Sequence, residues 1–236
     1  DPGAMVQIPL QSRKLHGIVR ASEPLQSRKL NLKGSRYQIR NIIEVYKQPI
    51  VDSGFIQEVN HIAKMYVIPI GHLLAHYLPK HLIEYAITTL AQDDNTTIPT
   101  TERTQLEPET QVLQSPIEHR QTYYKTLIRE HFARGQSLAL ICPTTTEVMY
   151  WEQQLALAYG ERGCVLHADQ TPTQRKQTLS KIYTNEQGPY VLITTPTHIS
   201  TAARMTTVVI DNETSPQYET QHASYIHHSD ALQHIT

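Results

Sequence analysis

Beyond residue 116 the chain carries four short, largely apolar runs, and these restrict its fold more than any other feature. They are SLALIC (137–142), CVLH (164–167), YVLIT (190–194) and TVVI (207–210). Runs of this length with no alternation suit strands buried on both faces, a property of parallel sheets. Segments with helical spacing lie among them: Arg120–Arg134 ending before Gly135, Glu147–Tyr159 ending at Gly160, and a third that opens at Thr171-Pro172. Helices between strands supply the long crossovers that parallel pairing requires. Thr144-x-x-Glu147 is a capping box, and Thr171-Pro172 combines a cap with proline at the first helical position.

The first eighty residues follow a different pattern. Val6–Leu10, Leu15–Ala21 and Tyr37–Val45 read as antiparallel strands around a basic loop. Phe55, Ile56, Val59, Ile62, Ala63 and Tyr66 then form a helical stripe behind a cap at Asp52 or Ser53. Pro69-Ile70-Gly71 interrupts it, and a short apolar helix runs to Leu78 before Pro79. The heptapeptide PLQSRKL occurs at Pro9–Leu15 and again at Pro24–Leu30, too short a unit for a repeat architecture. Residues Gln92–Ser115, rich in Thr, Pro and acidic side chains, read as a linker. The expected organisation is α/β overall. A small, mostly-β, barrel-like antiparallel module with a helical cover (1–85) precedes a linker (86–116) and a three-layer α/β lobe on a parallel sheet (117–236).

Charge divides the same way. Residues 1–81 hold 11 Lys+Arg against 5 Asp+Glu, net +6, and residues 82–236 hold 10 against 17, net −7, which together make the overall −1. Arg13, Lys14, Arg20, Arg28, Lys29, Lys33, Arg36 and Arg40 face only Glu23 within residues 6–40. A cationic cluster of this kind suits a polyanion through counterion release. Cys142 and Cys164 both fall in apolar runs, which favours two reduced core thiols. No apolar run is long enough to span a membrane and no export signal is evident, so the cytoplasm is the expected compartment. The chain opens DPGAM and stops at LQHIT, and it reads as a fragment. Among 13 histidines, His72 and His76 have chelating spacing on a helix. With no carboxylate or cysteine to complete a set, no metal site is expected, and both read as helix-surface or rim residues.

Several strings in the first half resemble the 3′-DNA-binding domain of the primosomal protein N′ family, the PriA replication-restart helicases. They are VQIPL (Val6–Leu10), HGIV (His16–Val19), IRNIIEV (Ile39–Val45) and MYVIPIGHLLAHYLP (Met65–Pro79). The second half is similar to the first helicase lobe of that family, a RecA-like fold. VLQSPIEHRQT (112–122) lies where the family has its phosphate loop, Ala133–Gln136 and Ile141–Thr144 follow in order, then Val165–Thr171, and VIDNETSPQY (Val209–Tyr218) stands at the metal-binding box. The lobe would be truncated, and the module would lack the family's first strand, which carries an aromatic–acidic pair of the 3′-end pocket. The family's winged-helix domain has no counterpart.

By that resemblance Arg13, Lys14, Arg36 and Arg40 are the candidate DNA contacts. Arg40 stands at a basic position of the family's pocket and Gln11 where the family has glycine. Phosphate loops need glycines that let backbone N–H groups converge on phosphate, and a lysine for the β/γ oxygens. Here Ser115, Glu118 and Arg120 replace the glycines and Gln121 the lysine, while Thr122 keeps the metal-ligand hydroxyl. Asp211 retains the magnesium position, Asn212 replaces the water-activating glutamate, and Glu213 is kept. Asn cannot act as a carboxylate base. Asp211 instead reads as the end of a buried strand, held by nearby amides, and one of Tyr123 and Tyr124 reads as core.

The resulting expectation is a DNA-binding protein of replication restart or repair, acting on forked or single-stranded DNA. Its helicase-like lobe is a pseudoenzyme that uses neither the ATP nor the Mg²⁺ of the family. Two alternatives stand beside it: an ATP-dependent 3′–5′ translocase with an unconventional nucleotide site, and a scaffold for replisome proteins.

Overall fold

A computed structural model describes residues 1–24, 39–46, 49–90, 109–184, 188–219 and 226–235. Arg28, Lys29, Lys33 and Arg36, with most of the second PLQSRKL copy and the centre of the linker, lie outside the described residues.

The chain begins with a three-stranded antiparallel sheet in the order β2-β1-β3. It comprises β1 (Met5–Leu10), β2 (Arg13–Ile18) and β3 (Glu44–Val45). β1 and β2 form a hairpin whose register pairs Leu10 with Arg13 and Met5 with Ile18, leaving Gln11 and Ser12 as the turn. One face carries Met5, Ile18 and Tyr46 into the core, as the period of two in a strand requires. Gly3, at φ +86°, lies where a Cβ would sit 2.2 Å from the Val51 carbonyl oxygen, so only glycine lets the chain approach so closely.

Helix α1 (Ser53–Met65) starts at the expected cap, the Asp52 carboxylate accepting from the Phe55 N–H at 2.7 Å. Its buried stripe is Phe55, Ile56, Val59, Ile62 and Ala63. Helix α2 (Ile70–Tyr77) follows, and a further helix, α3 (Lys80–Tyr85), continues past Pro79 into a π-turn at Ala86–Leu90. Pro79 therefore separates two helices. A proline at the head of a helix forfeits no intrahelical bond.

The second half contains α4 (Ile117–Ala133), β4 (Leu138–Ile141), α5 (Thr145–Tyr159), β5 (Gly163–Leu166), α6 (Pro172–Thr184), β6 (Val191–Thr194), α7 (Ile199–Ala202), β7 (Thr207–Ile210) and α8 (His228–Ile235). All pairings in its four-stranded sheet are parallel, in the order β5-β6-β4-β7. Both anticipated caps form. Thr144 Oγ1 accepts from the Glu147 N–H at 3.2 Å and donates to its carboxylate at 2.8 Å, and Thr171 Oγ1 accepts from the Gln174 N–H at 3.3 Å.

Strand alternation sorts the sheet into two cores. Leu138, Leu140, Cys142, Val165, Val191 and Ile193 face α4 and α5, where Tyr124, Ile128, Val148, Trp151 and Leu155 cover them. Ala139, Ile141, Cys164, Leu166 and Leu192 face the opposite way, onto Leu179 and Ile182 of α6, Ile199 of α7 and Leu232 of α8. This is a three-layer α/β arrangement. The second core does not stop at the lobe: Phe55, Val59, Ile62, Leu73, Tyr77 and Leu82 of α1–α3 belong to the same apolar cluster. The helical cover of the first module thus closes one face of the parallel sheet, and the two halves share one core.

Candidate functional site

The basic module and the strand ends of the lobe are the two places where the sequence puts chemistry. In the module, Gln11 adopts φ +54° in the β1–β2 turn, a left-handed conformation that glycine takes without steric cost. Arg13 and Lys14 leave that turn as the first two residues of β2, and both are exposed. Their side chains diverge, because neighbours on a strand point to opposite faces. Arg13 shares a face with Leu10, Leu15 and Val45, a row of exposed aliphatic residues, whereas Lys14 lies on the face of His16, whose Nε2 meets the Tyr46 hydroxyl at 3.0 Å.

Arg40 is exposed in the segment leading to β3. Val6 pairs with Val45 and Gln7 with Glu44, and the Ile43 N–H donates to the Gln7 carbonyl at 2.8 Å. The antiparallel register therefore brings that segment in from the end of the sheet at which Gln11, Arg13 and Lys14 lie. No ion pair among the described residues engages Arg13, Lys14 or Arg40. Arg36 lies outside the described residues.

In the lobe, the segment expected to form a turn is helical. α4 begins at Ile117, three residues ahead of the expected start, so Glu118 and Arg120 sit in its first turn. Pro116 at the head of the helix (φ −57°, ψ 158°) and the lack of any glycine after it permit helix where a phosphate loop needs open backbone. The first-turn N–H groups consequently point along a helix axis, with the Glu118 side chain beside them favoured by the helix dipole.

Asp211, immediately after β7, is only 2% exposed. The expectation that amides hold its side chain is wrong. Side-chain donors from two helices converge on the carboxylate: the Arg120 guanidinium forms an ion pair with Oδ1, the Tyr124 hydroxyl donates to Oδ1 at 2.8 Å, and the Trp151 indole N–H donates to Oδ2 at 2.7 Å. Arg120 and Tyr124 are four residues apart and so share one face of α4. Tyr218 completes the knot through the backbone, its hydroxyl lying 2.8 Å from the Asp211 carbonyl and 3.0 Å from that of Ile141. Burial and the adjacent Asp211 carboxylate hold the Tyr124 hydroxyl far above its ordinary range, so it stays a donor.

The other nucleotide-site positions are also engaged with protein groups. Gln121 donates to Gln154 at 2.7 Å, and the Thr122 hydroxyl donates back to the Glu118 carbonyl at 3.3 Å. Asn212, at φ +50°, reaches Glu147 at 3.5 Å, and Glu213 accepts from Gln233 at 2.6 Å. Trp151 and Tyr124 were not anticipated at this site. Their common signal is a large aromatic with a polar tip on a helix facing a strand end, where a buried tip needs a partner. Tyr124 is the core member of its pair and Tyr123 is exposed, as expected.

Of the two helix histidines, only one lies where expected. His72 is exposed, but His76 stacks on His228 of α8 with centroids 4.5 Å apart, which places it at the seam between the halves and not on the rim. Among the described residues, no group of three or more His, Cys, Asp or Glu side chains is arranged to hold a metal ion. Nor, among them, is any helix long and apolar enough to cross a membrane.

Comparison with known proteins bears on the first module alone. Residues 1–79 match the family model of the PriA 3′DNA-binding domain (3′BD). No curated protein matches the chain.

Proposed function

We propose, from the premise that residues 1–79 are a PriA-type 3′DNA-binding domain, that the chain is a cytoplasmic DNA-binding protein of replication restart or repair whose α/β lobe is a scaffold that does not hydrolyse ATP. The domain match carries the DNA-binding half of this reading. It is supported by the gathering of Arg13, Lys14 and the Arg40 segment at one end of the small sheet, where phosphate contacts would give affinity with little sequence preference. What supports the scaffold half is the occupation of Asp211. A buried carboxylate that already accepts from Arg120, Tyr124 and Trp151 has most of its lone pairs engaged by protein donors and not by magnesium, and the helical start of α4 offers no loop to a triphosphate.

Fork-DNA affinity should fall steeply with salt. Each phosphate contact contributes about 0.9 to the log–log slope on duplex, or about 3.5-fold between 50 and 200 mM salt. Arg13→Ala/Lys14→Ala/Arg40→Ala should lower that slope by about 2 to 3. Affinity that is flat with salt, or that survives the triple substitution, refutes the placement of the interface. For the lobe, labelled ATP should show no saturable binding. DNA-stimulated hydrolysis that Asp211→Ala abolishes would establish a translocase instead.

A further inference from the structure

The seam between the helices of the first module and the lobe is built around buried histidines, and one of them, His198, must be neutral to make its bonds. At one end, Arg175 of α6 lies 3.3 Å from His81 Nδ1. Arginine can only donate, so that nitrogen accepts and the proton of His81 is on Nε2. His81 Nε2 is 3.0 Å from His198 Nε2, which must then accept, leaving the His198 proton on Nδ1, 3.3 Å from the Thr197 hydroxyl. The result is a directed chain from α6 through α3 to the turn before α7. At the other end, the Tyr77 hydroxyl of α2 meets His228 Nδ1 at 3.0 Å, the His76 ring stacks on His228 at 8° between planes, and the Ser200 hydroxyl donates to the Tyr77 carbonyl at 2.7 Å.

We propose that this seam is a pH-gated joint, in which protonation of His198 and His228 releases α2 and α3 from the α/β lobe. A second proton on His198 Nε2 would confront the N–H of His81, and a charge on either ring would enter an apolar core. The surroundings make both charges costly. His198 faces His81, Arg175 and His167, with Glu84 acting only on the half-exposed His81. His228 faces His76, His227 and Tyr77, while the Asp230 carboxylate lies 3.7 Å from His227 Nδ1 and accepts from the Tyr66 hydroxyl at 3.2 Å. Burial first, then the neighbouring histidines and, for His198, the Arg175 guanidinium, lower both histidines to about 3.

The sign follows from linkage. A histidine whose folded value is depressed stabilises the closed seam above its open-state value of about 6.5, and that contribution is lost as pH falls below it. At pH 5 each histidine favours opening by about 30-fold, so the pair favours it by about 1,000-fold relative to pH 7.5.

Hydrogen exchange of the intact chain, corrected for intrinsic rates, tests this. Amides of α2 and α3 should open about 1,000-fold more readily at pH 5 than at pH 7.5, while those of β4 stay protected. His198→Gln/His228→Asn, which keeps an acceptor at each contact, should abolish the difference. A pH-independent α2 and α3, an equal rise in β4 that marks global unfolding, or unchanged behaviour in the double variant overturns the proposal. Should that variant fail to fold, imidazole nitrogen shifts of the wild-type chain decide. Rings that remain neutral while the seam is closed at pH 5 uphold the proposal, and titration near 6.5 in a closed seam refutes it.

Discussion

Removing the Asp211 carboxylate should be among the most damaging single changes in this chain. Asp211→Ala strands the Arg120 guanidinium, whose side chain is only 19% exposed, and leaves the Trp151 N–H and the Tyr124 O–H without their acceptor. Breaking a buried ion pair costs about 3–5 kcal/mol, and the partial exposure of Arg120 argues for the lower end, about 3 kcal/mol. The two orphaned donors add about 2 kcal/mol between them, the low end of the cost for each. The total of about 5 kcal/mol lowers the melting midpoint of a chain of this length by about 10–20 °C. Calorimetry or circular dichroism in excess chelator measures it, so that no metal contributes. In a double-mutant cycle, Arg120→Met should recover about 2 kcal/mol in the Asp211→Asn background, because the stranded charge is removed with its partner. A midpoint shift below about 3 °C, or strict additivity in the cycle, would mean that the knot is not what holds α4 and α5 against the end of β7. Magnesium that stabilises the wild type but not Asp211→Ala would return Asp211 to metal binding.

Gly3→Ala should destabilise the module by about 2 kcal/mol, since the new methyl meets the Val51 carbonyl and the backbone must leave φ +86°; a urea midpoint equal to that of the wild type contradicts the close approach. Cys142 and Cys164 are buried, free and held above their ordinary range by desolvation, Cys164 to about 11. Iodoacetamide at pH 8 should leave both unmodified in the folded chain and alkylate both in denaturant, as intact mass will show; rapid labelling of either thiol in the native state refutes its burial.

Much of this architecture is legible in the sequence because it is local. The capping box at Thr144 and Glu147, the cap at Asp52 and the proline-headed helix at Pro172 all depend on residues within one helical turn, and each forms where its spacing places it. The four apolar runs pair in parallel, the central two fully buried and the edge strand β7 half-buried, and their lack of alternation is a property carried by their composition. The start of α4 is a local error: the phosphate-loop alignment suggested a turn, whereas Pro116 and a glycine-free stretch specify helix from Ile117.

What the sequence by itself determined is the succession of elements, their caps, the division of charge and the lack of glycine and lysine at residues 115–122. The tertiary structure alone decided who meets whom. Asp211 joins Tyr124 across 87 positions and Trp151 across 60, and Tyr77 joins His228 across 151. No periodicity encodes such pairs, because they arise only when helices dock on strand ends and a buried polar tip must take the nearest complementary group. The sharing of one core by the two halves has the same origin: the apolar stripes of α1–α3 are visible as stripes, but burial is satisfied by whichever apolar surface lies opposite, and here that surface is the lobe.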